Sequence, residues 1–285
     1  MMRPMHIART VGMVLTALLA LSACAPTAAP YTAPRPQDCH KNGLATLYDG
    51  VFTFGTDQPV YPPWFIGDNP ANGEGFEAAV AYAIAGRLGY APEDVRWVRV
   101  PFSEAIVAGP KMFDANLSQV SITDQRRAAV DFSAPYFDVS QAVVTVKSSP
   151  AARVRSLADL KALRLGAQVG TTSQTAARAV DGDRPVEVYN TNGDAKLALN
   201  NGEIDALVAD LPTAFTVAGE LRDGVMVGQL PTDSDTAEQF GLVLDKGSSL
   251  TPCVSAIVGA LRADGTLERL QTTWLADAGR APVLT

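Results

Sequence analysis

The sequence predicts an α/β fold of two lobes, each an open, mostly parallel sheet flanked by helices. Two observations carry this. Strand-like and helix-like stretches alternate from Val51 to Trp274, the pattern left by helical crossovers between parallel strands. Two further strand-like runs, Gln141 to Lys147 and Phe240 to Lys246, divide the alternation and read as crossings between lobes. Lobe 1 is then residues 39–145 plus 242–285, and lobe 2 residues 146–241. The 285 residues, 47% of them hydrophobic, suffice for a core of this size.

The elements follow in order. Arg3 and Arg9 precede an apolar run from Val11 to Leu21. As a helix this run spans about 17 Å, too short for a bilayer. Residues 1–23 therefore read as a signal peptide. Its end, Leu21-Ser22-Ala23-Cys24, resembles the bacterial lipobox, in which the cysteine becomes the lipidated first residue; an ordinary signal beside an incidental Cys24 is the alternative. Residues 24–38 are rich in Pro and Ala and read as an extended tether.

Val51 to Thr56 alternates as a strand, and Asp57 ends it. A Pro-stiffened loop follows, carrying Tyr61, Trp64 and Phe65. Aromatics on such a loop either cover a ligand or pack into the core, and for Trp64 both stay open. Gly75-Phe76-Glu77 opens a helix with a stripe at Val80, Ala81, Ile84, Ala85 and Leu88. Gly73 to Ala78 fits G-x-G-x-x-A, but prolines precede it instead of a strand, so it is no dinucleotide site. Val95 to Val100 is the next strand, and Pro101-Phe102 begins a short helix.

The stretch Asp114 to Phe137 is the centre of the chain. It starts strand-like, yet carries Ser118, Gln119, Ser121 and Thr123 within six residues. Thr123-Asp124 reads as a helix start, and Arg126 can fold back over that first turn. Free N–H groups, hydroxyls and a planar guanidinium together suit a carboxylate; a surface Arg beside a satisfied polar strand is the plainer alternative.

In the second lobe Ser156 caps a short helix, and a strand from Leu163 to Val169 runs into Gly170-Thr171-Thr172-Ser173-Gln174. Strand, glycine, hydroxyls and helix make either a second anion-binding nook or a simple cap. A strand from Ile204 to Val208 is followed by Asp210, a residue that either caps the next helix or meets an ammonium group beyond the strand's carboxyl end. Two helices with apolar faces close the chain, separated by Gly265.

The run S-I-T-D-Q-R-R-A-A-V-D-F-S-A-P-Y resembles the signature of extracellular solute-binding proteins of ABC transporters, the polar amino acid family. The resemblance extends from about Phe52 to Trp274. It implies the type II periplasmic-binding-protein fold and an exported, lipid-anchored monomer. Such a receptor captures a small amino acid between its lobes and delivers it to an ABC permease. By the same resemblance Arg126 holds the α-carboxylate with Ser121, Thr123, Thr171 and Thr172. Asp210, which ends G-E-I-D-A-L-V-A-D, holds the α-ammonium with Ser118 or Gln119. Asp57, Tyr61, Trp64 and Phe102 shape the side-chain pocket, and an acid among aromatics favours cationic or polar neutral side chains. Glu77 takes the place of an Asp in the family's G-F-D helix and is read as structural.

A net charge of −7 lacks the basic footprint of nucleic-acid binding. No P-loop occurs, and the two histidines, His6 and His40, precede the first strand, so neither a His triad nor a multi-His metal site is expected, and no cofactor. The competing class is a periplasmic dehydratase of prephenate or arogenate type on the same fold, with Glu74, Glu77 or Glu104 as general acid. With Cys24 acylated, Cys39 and Cys253 are the remaining thiols of an exported chain and are expected to pair.

Overall fold

The computed structural model describes residues 33–231, 237–276 and 281–285. The signal-peptide and lipobox expectations, Cys24 included, lie outside these residues.

The first lobe is built from β1 (Phe52–Thr56), α1 (Phe76–Arg87), β2 (Val95–Arg99), α2 (Phe102–Ala105), β3 (Ala115–Asn116), α3 (Asp124–Ala129) and β4 (Asp131–Phe132). After β5 (Phe137–Val139) the chain enters the second lobe. That lobe comprises β6 (Gln141–Val146), α4 (Leu157–Leu160), β7 (Leu165–Gln168), α5 (Thr172–Ala179), β8 (Glu187–Tyr189), α6 (Asn192–Asn200), β9 (Ala206–Asp210), α7 (Leu211–Glu220) and β10 (Gly224–Gln229). It returns through β11 (Glu238–Phe240) to β12 (Val243–Leu244), α8 (Thr251–Ala263) and α9 (Thr266–Trp274).

The first sheet has the order β2-β1-β3-β12-β4 and the second β10-β6-β9-β7-β8. β1 is parallel to β2 and β3, and β7 is parallel to β8 and β9. The antiparallel pairs involve β12 in the first lobe and β6 in the second. These are the strands that enter each lobe from the other, so they run against the crossover-connected ones.

β5 and β11 form a two-stranded ribbon between the sheets, and β11 is also bridged to the Ser121 segment of the first lobe through Phe240. The sequence boundaries shift accordingly. Gln141–Val146, placed in lobe 1 up to Thr145, lies inside the second sheet with β9 on one side and β10 on the other. Residues 281–285, also placed in lobe 1, dock on lobe 2. Gln229 N–H donates to Pro282 O at 2.7 Å, Leu284 N–H donates to Gln229 O at 2.9 Å, and Leu284 is buried in the lobe 2 core. β10 is an edge strand, and this tail covers its open side.

Each lobe has its own core. Phe52, Phe54, Phe76 and Ile84 pack with Val254, Ile257 and Leu261 of α8 in the first lobe. Val144, Leu199, Leu207 and Val217 pack in the second. Cys39 and Cys253 form a disulfide across 214 residues, tying the start of the folded chain to α8.

Candidate functional site

A cleft of about 410 Å³ lies between the lobes, at the carboxyl ends of their strands, where open α/β sheets place their ligands. Asp57 follows β1, Gln168 ends β7 and Asp210 ends β9, and all three line it. Topology alone thus brings together polar residues up to 153 positions apart.

Arg126 enters from α3, whose first turn is capped by the Thr123 hydroxyl. Its side chain is buried, with Nη1 donating to Ser121 O at 2.7 Å and Nη2 reaching across to Gly170 O at 3.0 Å. Gly170 takes a left-handed turn at φ +75, which favours glycine. The guanidinium also lies 5.3 Å from the Phe102 ring centre. Two carbonyls use two of its five N–H groups, so three remain for a ligand anion. Burial lowers its pKa to about 10, with Glu238 pulling the other way, so it stays charged at neutral pH.

Ser118 to Ser121 does not continue β3 as the apolar positions predict. Gln119 sits at φ +51, and the segment leaves the sheet there. This explains the polar load: these side chains face the cleft and its supports instead of a sheet core. Ser118 lines the cleft with its hydroxyl buried and without a hydrogen-bond partner among the described residues. Such an atom suits a ligand polar group. Gln119 lines the cleft as well, and its amide Nε2 and backbone N–H both donate to Glu77. Glu77 is fully buried, also accepts from the Tyr136 hydroxyl, and is pushed up to about 7 by burial.

From the second lobe, Thr171 and Thr172 line the cleft at the start of α5. Thr171 Oγ1 caps α5, accepting from Gln174 N–H at 3.1 Å and donating to Gln168 O at 2.7 Å. Asp210 caps α7, accepting from Thr213 N–H at 3.0 Å, and burial pushes its carboxyl up to about 6. Capping and cleft lining, posed as alternatives by the sequence, are here combined in the same residues.

Asp57 accepts from Gln58 N–H at 2.7 Å and Phe102 N–H at 3.2 Å, and burial raises its pKa. Gln141, Gln168, Ser173, Asn192 and Phe240 complete the wall. The sequence argument missed these five. Gln168 left a signal, a polar residue in a strand two positions ahead of the Gly170 turn. Phe240 and Gln141 left none, since both sat in strands read as crossings.

Four expected site residues stand elsewhere. Trp64 is buried against Phe137 and Phe240, and its indole N–H donates to Thr213 Oγ1 of the other lobe at 2.8 Å. It holds the lobes together behind the cleft, because the loop turns its large ring into the core. Tyr61 also lies outside the cleft lining. Its hydroxyl approaches Gly193 at the start of α6 so closely that an added Cβ would come within 2.4 Å. Thr123 serves as a cap alone, and Ser121 bonds to Thr172 and Glu238 beside the cleft wall. The N–H of Ile122 donates to Gln239 O and is not free for an anion.

Two lobes closing on a small polar cleft define a solute-binding protein. Residues 52–277 match the description of bacterial extracellular solute-binding proteins, family 3, and the chain belongs to that family. It is 30% identical over 234 residues to an L-arginine-binding protein of Pseudomonas aeruginosa, covering 77% of this chain and 88% of that one. It is 27% identical over 271 residues to an ABC transporter glutamine-binding protein of Bacillus subtilis, covering 92% and 94%. Among solved structures, an ancestral arginine-binding protein bound to arginine superposes with a TM-score of 0.66 at 29% identity, over 79% of this chain and 98% of that one. An ancestral amino acid-binding protein described as a precursor of cyclohexadienyl dehydratase superposes at 0.67 and 29%, over 79% and 95%.

Were a ligand ammonium seated on Asp210, it would need the ionised carboxylate, whose pKa burial pushes up to about 6. Affinity for a zwitterionic ligand is expected to be flat above that value. Below it, affinity should fall by up to about tenfold per pH unit as ligand competes with a proton. Calorimetric titrations at pH 7.5 and pH 5 would show the drop; equal affinities would place the ammonium elsewhere.

Proposed function

We propose that this protein captures a small amino acid in the interlobe cleft and delivers it to an ABC permease. The observation that carries the reading is the pairing of Arg126 from one lobe with Asp210 from the other on a single buried cleft. A zwitterion presents opposite charges a few ångströms apart, and only a closed cleft meets both. Arg126 with the backbone N–H groups of Thr171 and Thr172 takes the α-carboxylate, and Asp210 with Ser118 takes the α-ammonium. Asp57, Phe102, Gln119 and Gln168 surround the side chain. Two carboxylates, Asp57 and Asp210, against one arginine favour a cationic or polar neutral side chain over an acidic one. The relatives named for arginine and glutamine agree with this class.

The dehydratase reading needs an acid facing a substrate. Glu74 and Glu104 are outside the cleft lining, and Glu77 is buried behind Gln119. A thermal-shift screen against the twenty amino acids tests the proposal, because tight binding raises the midpoint of the folded state. Arginine, lysine, histidine or glutamine should give the largest shift. No shift with any amino acid, together with turnover of a prephenate-like acid, would replace the proposal with the enzyme.

The receptor works at the cell surface or in the periplasm, held by lipid on Cys24 and a tether through residue 38. Among the described residues no helix is long and apolar enough to cross a membrane. Full-length protein expressed in bacteria should partition into detergent, and Cys24→Ala should stay aqueous. Equal partitioning of the two would remove the anchor.

A further inference from the structure

We propose that Glu238 is the carboxylate on which the two lobes close, a positioning residue that scales affinity for every ligand of the cleft. The affinity part rests on the amino acid reading above. Glu238 is the first residue of β11, in the ribbon that belongs to neither sheet. Its Oε1 accepts from Ser121 Oγ of the first lobe at 2.5 Å and from Thr172 Oγ1 of the second at 2.6 Å. Gln141 Nε2, at the start of the second sheet, donates to both carboxylate oxygens at 3.1 and 2.9 Å. The Ser121 and Thr172 oxygens are themselves 3.1 Å apart.

A hydroxyl carries one proton. With both protons committed to Glu238, Ser121 and Thr172 are drawn together by a shared anion. Their hydroxyls are then no longer donors to a ligand carboxylate, which is left to Arg126 and the backbone. Ser121 and Thr172 stand on different lobes, so opening the cleft must break at least one of these bonds. Bonds to an ionised acceptor are about twice as strong as neutral ones. The chain therefore favours its closed arrangement before any ligand arrives. Apparent affinity rises with the fraction of molecules in the competent state, by the same factor for every ligand. Gln141 extends the effect to the wall: its Oε1 accepts from Ser173 Oγ at 2.7 Å, and both residues line the cleft.

Glu238→Gln keeps the shape but replaces one acceptor oxygen by an NH₂ group facing donors. The variant is expected to bind every amino acid accepted by the wild type roughly tenfold more weakly, with the ranking unchanged. Without ligand, its radius of gyration in small-angle scattering should exceed that of the wild type, while its unliganded thermal midpoint stays close. Glu238→Asp, a methylene short of the three donors, should change both readouts in the same direction. Equal ligand-free radii would overturn the proposal. So would unchanged affinity, or tighter binding, which would make Glu238 a competitor of the ligand carboxylate. If the wild type binds no amino acid, only the amino acid reading falls, and the ligand-free scattering still decides the role of Glu238.

Discussion

Arg126→Ala and Asp210→Ala are each expected to weaken amino acid binding at least about thirtyfold, and to do so alike for every amino acid accepted. Truncating one partner of a desolvated charge pair costs roughly 2–5 kcal/mol, much of it from the ligand charge left buried and unpaired. At about 1.4 kcal/mol per decade, the lower end already exceeds a factor of twenty. Both residues are at most 8% exposed, so water cannot readily stand in for the lost group. The two losses differ in kind. Arg126 also bridges the lobes through Gly170 O, so its removal loosens closure as well as the carboxylate seat. Asp210 caps α7 through Thr213 N–H, and its removal costs helix stability of about 1 kcal/mol in addition. Asp210→Asn keeps much of the cap and removes the charge, which separates the two effects.

Loss of the disulfide should give the largest change in stability. Cys39→Ser with Cys253→Ser frees a loop closed over 214 residues. The entropic model puts the upper limit near 5 kcal/mol, and about 2–4 kcal/mol is typical. The bond fastens Cys39 and the short 3-10 turn at Lys41–Gly43 against α8. In the variant this opening segment should exchange its amides first, and the denaturant midpoint should drop with a steeper slope, because the uncrosslinked denatured chain exposes more surface. Neither cysteine lines the cleft, so affinity measured where the variant is folded should stay near wild type. A midpoint equal to that of the oxidised wild type would show that packing at position 39 suffices without the bond.

The elements that were legible in the sequence are those whose residues act locally. The apolar stripe of α1, the Thr123 and Thr171 caps and the strands ending in Gln168 and Asp210 all have periodicity or capping chemistry within one short window. Residue types also survived where strand ends put them at the crevice, as with Asp57 and Asp210. What escaped depends on distant pairing. Gln141–Val146 has the composition of a connecting strand, and only its two antiparallel neighbours make it central to the second sheet. Val283 and Leu284 look like a frayed terminus until the open edge of β10 gives them a place. Trp64 shows the same limit at the site: the loop composition fits a ligand cover, but a partner 149 residues away, Thr213, turns its N–H to the other lobe. Glu238 lies 112 positions from Arg126, and no local pattern could place it among Ser121, Gln141 and Thr172.

The most direct measurement is a calorimetric titration of wild type, Arg126→Ala and Asp210→Asn with the strongest ligand of the amino acid screen, repeated with the same ligand lacking its α-carboxylate. Wild type should bind the intact amino acid and lose at least about thirtyfold when the carboxylate is removed. Arg126→Ala should bind both forms with similar weakness, because the group that told them apart is gone, whereas Asp210→Asn should weaken binding of both and still prefer the carboxylate. Wild type that binds both forms equally, or variants within about threefold of wild type, would contradict capture of a zwitterion between Arg126 and Asp210.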